Sequence, residues 1–357
     1  MAMAMLFLCM ARHAHAVELA DGLELIGVVA FAAQCQQFSE ADDTCRSPTV
    51  LQPELNFSPD SRNHFHLKLG FASSNGLNSN LPVNLSAWAA DLEDDVKDIN
   101  GRGRDHLLTA WYRHDFRVAG PGDIQLTIGI IDATDYLDQN RYSNDEYSQF
   151  MNAALINAPS TLLPSYDAGA AFEWEAGDWS LRGVAMNVGD DGSGGSYDFL
   201  GVQLGRTVNS SLGEGNYRVV LAATSNDIAE PGGEREARGR QIILSFDQQF
   251  GANLGGFVRV DVQDDEIAID YDALYSVGIN VLGQAWSRPL DNVGIAYGYF
   301  DGGNLDIERS WVAEAYYRLG LRPQLWLTGD VQYIDEDLDQ GADAKGWVFG
   351  LRASFKF

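Results

Sequence analysis

The 357-residue sequence predicts an all-β fold: a transmembrane antiparallel β-barrel of about sixteen strands, with a short helix in an inward-folded constriction loop. Three observations predict it. Oily and polar residues alternate with period two in run after run, the links between runs are short and long by turns, and the chain closes on an aromatic strand ending in Phe357. Alternation sends successive side chains to opposite faces, so one face meets lipid while the other meets water.

In chain order, MAMAMLFLCMARHAHA has an apolar run followed by small residues at Ala14 and Ala16, the pattern of a cleaved export signal over residues 1–16. Its loss removes only Arg12 among the charges and takes the net charge from −27 to −28. Residues 17–357 then form one barrel. Candidate strands fall near 23–33, 48–57, 62–71, 105–117, 123–131, 167–175, 178–187, 195–206, 215–225, 238–249, 255–263, 271–282, 292–300, 309–320, 324–333 and 346–357. HFHLKLGF sets Phe65, Leu67, Leu69 and Phe71 against His64, His66, Lys68 and Gly70, and WVFGLRASFKF sets Trp347, Phe349, Leu351, Ala353, Phe355 and Phe357 against Gly350, Arg352, Ser354 and Lys356. Short links such as SPDSRN, EAGD, SSLGEG and FGANLG alternate with long ones, among them residues 72–104, residues 132–166 and GDDGSGGS, as periplasmic turns and outer loops must. LGQAWSRPLDN is longer than a periplasmic turn should be. A water-soluble β-sandwich would also alternate, but would not sort its loops by length or end on Phe.

Composition agrees with a folded, Gly-rich β protein: apolar residues are 45%, aromatics 11%, and there are 37 Gly. A net charge of −27 excludes a nucleic-acid partner, because neutralising phosphates needs a basic face. Acidic residues gather in the outer loops, as in Asp91, Glu93, Asp94, Asp95 and Asp98, whereas basic ones sit on the polar strand faces. Lys68, Arg113, Arg182, Arg218, Arg259, Arg318 and Arg352 therefore line a wet lumen, since a lipid-facing Arg or Lys at the midplane costs roughly 2–4 kcal/mol. The expected pore has an acidic mouth and a basic throat. Cys35 and Cys45, ten residues apart, suit a disulfide in an oxidising compartment.

No catalytic, metal or cofactor site is indicated. DEDLDQGADAKG has Gln340 where a calcium loop needs Gly and Gly346 where it needs Glu. His64, His66, His106 and His114 lack ligand spacing, and no hydrolase, zinc or phosphate-loop motif occurs.

The stretch 138–159 departs from period two. Ser143 and Glu146 have capping-box spacing, Tyr147, Phe150, Met151, Ala154 and Leu155 follow helical spacing, and Pro159 ends the run. Here the sequence resembles the carbohydrate-selective porins of the OprB type. IDATDYLDQNRYSNDEYSQFMNAALINAP at 131–159 and ADLEDDVKDINGRGRDHLLTAWYRHDF at 90–116 carry the resemblance, supported by LSFDQQF at 244–250 and the closing VFGLRASFKF. The resemblance implies a sixteen-stranded barrel of the Gram-negative outer membrane that passes sugars, with inward loops narrowing the pore and arginines helping to line it. The loops are more acidic than the family pattern, and the cysteine loop is not part of it.

The reading is passive diffusion of neutral mono- or oligosaccharides through a constriction made by loop 132–166 and, with it, loop 72–104. Arg141, Asn144, Asp145 and Glu146 on the loop, facing Arg113 and Trp111 on the wall, are the expected solute contacts. The rival readings are a general cation-preferring pore and a barrel that anchors an enzyme or adhesin. Outer-membrane lipid and lipopolysaccharide are the expected surroundings, and the apolar outer strands allow either a monomer or a homotrimer.

Overall fold

The computed structural model describes residues 16–117, 122–158, 162–189, 195–233 and 235–357. Most of the expected signal segment, up to residue 15, together with Pro159 and most of the GDDGSGGS loop, lies outside the described residues.

Sixteen long strands form the barrel: β1 (Leu23–Phe38), β2 (Thr49–Phe57), β3 (Asn63–Leu69), β4 (Leu107–Phe116), β5 (Asp123–Ile131), β6 (Asp167–Ala176), β7 (Trp179–Val188), β8 (Tyr197–Ser210), β9 (Gly213–Thr224), β10 (Arg240–Phe250), β11 (Leu254–Gln263), β12 (Tyr271–Leu282), β13 (Asn292–Gly302), β14 (Ile307–Arg322), β15 (Leu325–Leu338) and β16 (Ala344–Lys356). Each pairs antiparallel with the next, and β1 closes the cylinder on β16 from Val28↔Lys356 to Phe38↔Gly346. No edge remains, as the hydrocarbon interior requires, because an unpaired backbone group there costs several kcal/mol.

The alternation decides which side is which. On β8, Phe199, Gly201 and Gln203 are buried, whereas Leu200, Val202 and Leu204 are 58%, 41% and 47% exposed. Such outward aliphatic side chains recur on nearly every strand, and a band of this size is stable only under lipid. Towards the long-loop end, the ring pairs Tyr297–Trp311, Trp311–Tyr333 and Tyr333–Trp347 run across four strands at 5.8, 5.1 and 4.9 Å, an aromatic girdle at the outer interface.

Three local features differ from expectation. β1 runs on to Phe38 and pairs with Ala41–Arg46 as a raised hairpin, with Cys35 opposite Cys45 and disulfide-bonded to it. The cysteine segment is thus a ladder extension rather than a loop. LGQAWSRPLDN folds into a turn around Gly283–Trp286, where Asp291 accepts from Arg288 Nε at 2.5 Å and from Tyr317, and Gly283 N donates to Asp291 O at 2.9 Å.

Third, the amphipathic helix from Ser143 does not form. Among its described residues the stretch holds one 3₁₀ turn, Ala153–Leu155, capped by Asn152. Ser143 Oγ donates to Leu155 O at 2.7 Å instead of capping a first turn, and Asp145 gathers the backbone N–H groups of Tyr147 and Ser148 at 2.9 and 3.1 Å. Short polar side chains that bond the nearby backbone offer an alternative to the helix, and here that alternative prevails.

Candidate functional site

Two outer loops fold into the barrel. The segment after β5 begins with Asp132, whose carboxylate accepts from Thr134 N at 2.8 Å and starts the turn Ala133–Asp135. Leu137 then packs against the wall cluster containing Val184, Phe199 and Val220, while Phe150 makes edge-to-face contacts with Phe257 at 5.9 Å and Tyr316 at 5.0 Å. The wall leaves room for this. A Cβ on Gly255 would lie 2.1 Å from the Tyr142 ring, and one on Gly201 would lie 2.5 Å from Leu137.

Inward side chains of β11 and β14–β16 hold the loop by its backbone. Arg259, fully buried, binds the Asp138 carboxylate at 2.9 Å and donates to Ser143 Oγ and O at 2.9 and 3.0 Å. Arg352, also fully buried, donates to Glu146 O at 2.5 Å and Gln149 O at 2.8 Å, and Arg318 donates to Ser148 O at 3.0 Å. Glu314 accepts from Met151 N and Asn152 N at 2.6 and 2.9 Å, and Lys356 meets Asp145 at 2.6 Å. The second loop is fastened to the first: Ala89 N donates to Met151 O at 2.8 Å, Ala153 N to Ser86 O at 3.0 Å, and Trp88 Nε1 to Glu146 O at 3.0 Å.

Between the loops and the β2–β3 wall lies a cavity of about 950 Å³. Seven carboxyls line it (Glu54, Asp91, Asp95, Asp132, Asp135, Asp145 and Glu146) against two lysines, Lys68 and Lys356. Lys68 projects from β3 with its ammonium 6.0 Å from the Tyr166 ring centre and, among the described residues, no carboxylate within ion-pair distance. Asp91 accepts from Gln52 Nε2 at 2.5 Å and from Tyr166 OH at 2.7 Å. The Asp135 and Glu146 carboxyls have no side-chain partner among the described residues. Confinement inside the barrel, reinforced by Asp132, pushes Asp135 up to about 7. Confinement, then Asp145 and Asp91, pushes Glu146 up to about 8, and confinement beside Asp91 pushes Asp95 up to about 7.

A closed sixteen-stranded barrel narrowed by two inward loops around a polar cavity is porin geometry, and the sequence comparison names the kind. The carbohydrate-selective porin, OprB family, matches residues 84–357. The chain belongs to this family. The structure is similar to the high-pH structure of Pseudomonas putida OprB, with a TM-score of 0.74 at 14% identity over 94% of both chains. It is also similar to an anion-selective porin from Comamonas acidovorans, with a TM-score of 0.57 at 13% identity over 93% of this chain and 99% of that one. A protein of Aquifex aeolicus (strain VF5), itself uncharacterized, is 29% identical over 75% of this chain and 74% of its own. As an OprB porin, the protein is an outer-membrane channel for passive diffusion of carbohydrates in a Gram-negative bacterium.

In this porin the expected site residues separate into two groups. Asn144, Asp145 and Glu146 line the cavity, together with Lys68. Arg141 instead reaches Glu214 at 3.3 Å, Arg113 lies 3.0 Å from Asp115, and Trp111 stacks on His66 at 4.7 Å, all three outside the cavity lining. Arg182 bridges Glu173 and Glu175 at 3.2 and 3.5 Å, and Arg218 binds Asp247 at 2.7 Å. Arg182 and Arg218 are thus paired with carboxylates and, with Arg206, line a smaller pocket of about 200 Å³, while Arg259, Arg318 and Arg352 hold the loop and the 950 Å³ cavity is lined mainly by carboxyls. Glu54, Asp132, Asp135, Tyr147 and Tyr166 were not anticipated. For Asp132 and Asp135 the one sequence signal is that the unusually long loop 132–166 carries acidic residues that must lie somewhere.

Proposed function

We propose that sugars cross this porin through the 950 Å³ cavity and are selected there by Lys68, Asp135 and Glu146, with Asn144 and Asp145 at the loop surface. The observation that carries this reading is the set of unpaired groups. A lone ammonium opposite two carboxyls without side-chain partners presents donors and acceptors to a hydroxylated solute, whereas groups already bonded to each other would have to break a contact first. The volume lies at the upper end of the roughly 300–1,000 Å³ of ordinary ligand pockets, enough for a small sugar with some of its water. Transport on this reading is downhill and involves no catalytic step and no cofactor. Lipid and lipopolysaccharide surround the barrel through its outer aromatic and aliphatic face.

Planar-bilayer recording with sugar titration tests it. Glucose or a short oligosaccharide should reduce the ion current saturably, and Lys68→Gln should weaken that block. Absence of block by any sugar, or block indifferent to Lys68, Asp135 and Glu146 alike, sinks the assignment.

A further inference from the structure

The charge of the cavity does not match a neutral solute. Around Lys68 on β3 stand Glu54 on β2, Asp91 and Asp95 on one loop, and Asp135 and Glu146 on the other. Asp132 is occupied by Thr134, and Asp145 by Lys356. With Asp145 paired to Lys356, six carboxyls, Asp132 included, share one ammonium that touches none of them. A second observation points to an absent ligand: Tyr147 lines the same cavity at 5% exposure, and its hydroxyl has no partner among the described residues. A buried hydroxyl without a partner is costly, by about 1–3 kcal/mol, unless something else supplies the bond. The remaining wall offers Tyr166 and Asn144, a ring edge and an amide to meet a sugar.

We propose that this porin favours hydroxylated solutes carrying a cationic amine, that is amino sugars, over neutral sugars of the same size, and disfavours sugar acids. The proposal rests on the reading of the cavity as the sugar path. An ammonium entering among these carboxyls favours their ionised forms and gains an attraction that a hydroxyl in the same place does not, and inside a barrel wall of low dielectric the difference is larger than in free solution. A carboxylate-bearing sugar meets the opposite field. The solute's hydroxyls meet Lys68, Asn144 and the Tyr147 hydroxyl, which take part whatever the solute's charge.

The experiment is flux of labelled glucosamine, glucose and glucuronate into liposomes containing the full porin, at pH 7 and low salt, with potassium and valinomycin clamping the potential. Glucosamine should enter several-fold faster than glucose, and glucuronate slowest. In a variant combining Glu54→Gln, Asp135→Asn and Glu146→Gln the three rates should converge to within about twofold. Lys68→Gln, which removes the one opposing charge at the centre and breaks no direct contact, should widen the glucosamine advantage. Equal entry of glucosamine and glucose in the wild-type porin, or a narrower advantage in Lys68→Gln, overturns the amino-sugar preference while leaving the sugar path intact. Failure of all three solutes to enter overturns the path itself.

Discussion

The two sides of the lumen use the same kinds of side chain for different ends. On the β10–β16 side, Arg259 and Arg352 are fully buried and hold the constriction loop by its carbonyls, and Glu314 takes two of its N–H groups. On the β2–β3 side, Lys68 and Glu54 line the open cavity and form no side-chain hydrogen bond or ion pair among the described residues. Charge in a lumen therefore does not by itself mark a solute contact. A cation whose donors are all directed at loop backbone shapes the pore, and one without a partner is available to what passes through it.

The largest effect is expected where the structural side is broken. Arg259→Ala strands the Asp138 carboxylate, which is 0% exposed, and removing one partner of a buried pair costs about 3–5 kcal/mol. The loop should leave the wall, with a larger and noisier single-channel conductance and faster proteolysis within 132–158. Adding Asp138→Asn should restore part of the wild-type conductance, because the amide no longer needs a countercharge. A double variant no better than the single one would show that Asp138 is not what Arg259 balances.

Lys68→Gln probes the other side. With no direct contact to lose, the barrel should keep its heat-resistant mobility on gels, while glucose block weakens about tenfold, equivalent to about 1.4 kcal/mol. A barrel that unfolds more readily would place Lys68 with the structural cations instead.

The barrel was legible in the sequence because period-two alternation is a local signal, and every candidate strand lies within a few residues of an observed one. β1 overran its expectation because its upper half, from Gln34, is held by a hairpin above the lipid rather than by an oily face. The site was legible only in part. Asn144 to Glu146 were found because the loop broke the period, but its conformation was misread, since helical spacing of Tyr147, Phe150 and Leu155 also suits side chains pressed into separate pockets of a curved wall. Nothing local marks Glu54 or Asp135 as cavity residues. Glu54 stands directly opposite Lys68 across the β2–β3 hairpin, whereas only the inward folding of its loop brings Asp135 to them.

A smaller effect follows from pH. Asp95, Asp135 and Glu146 are held up near 7, 7 and 8, so their charge develops only as the pH rises through those values. They face Glu54, Asp91, Asp132 and Asp145, which add negative charge, and Lys68 and Lys356, which oppose it. Potassium-over-chloride permeability, read from reversal potentials in a salt gradient, should therefore increase from pH 6 to pH 9 and weaken on the return. Because the folded-state values are raised, deprotonation across this window also costs some stability, so the barrel should melt slightly lower at pH 9 than at pH 6. A flat selectivity profile would mean that these three groups do not face the conducting path.

The smallest effect is expected at Arg141, although it lies in the loop stretch that the sequence marks most plainly. Its guanidinium meets Glu214 at 3.3 Å with both side chains 45% exposed, and pairs of that kind contribute about 0.2–1 kcal/mol. The backbone there is held independently, by Arg141 N donating to Asp247 at 3.3 Å and Gln149 Nε2 donating to Arg141 O at 2.8 Å, so the alanine variant keeps the loop in place. Glucose block and ion selectivity of Arg141→Ala should stay within about twofold of wild type. A loss of block as large as that of Lys68→Gln would mean that the solute path runs along the β9–β10 wall, past Glu214 and Gln249, rather than through the acidic cavity on the opposite side.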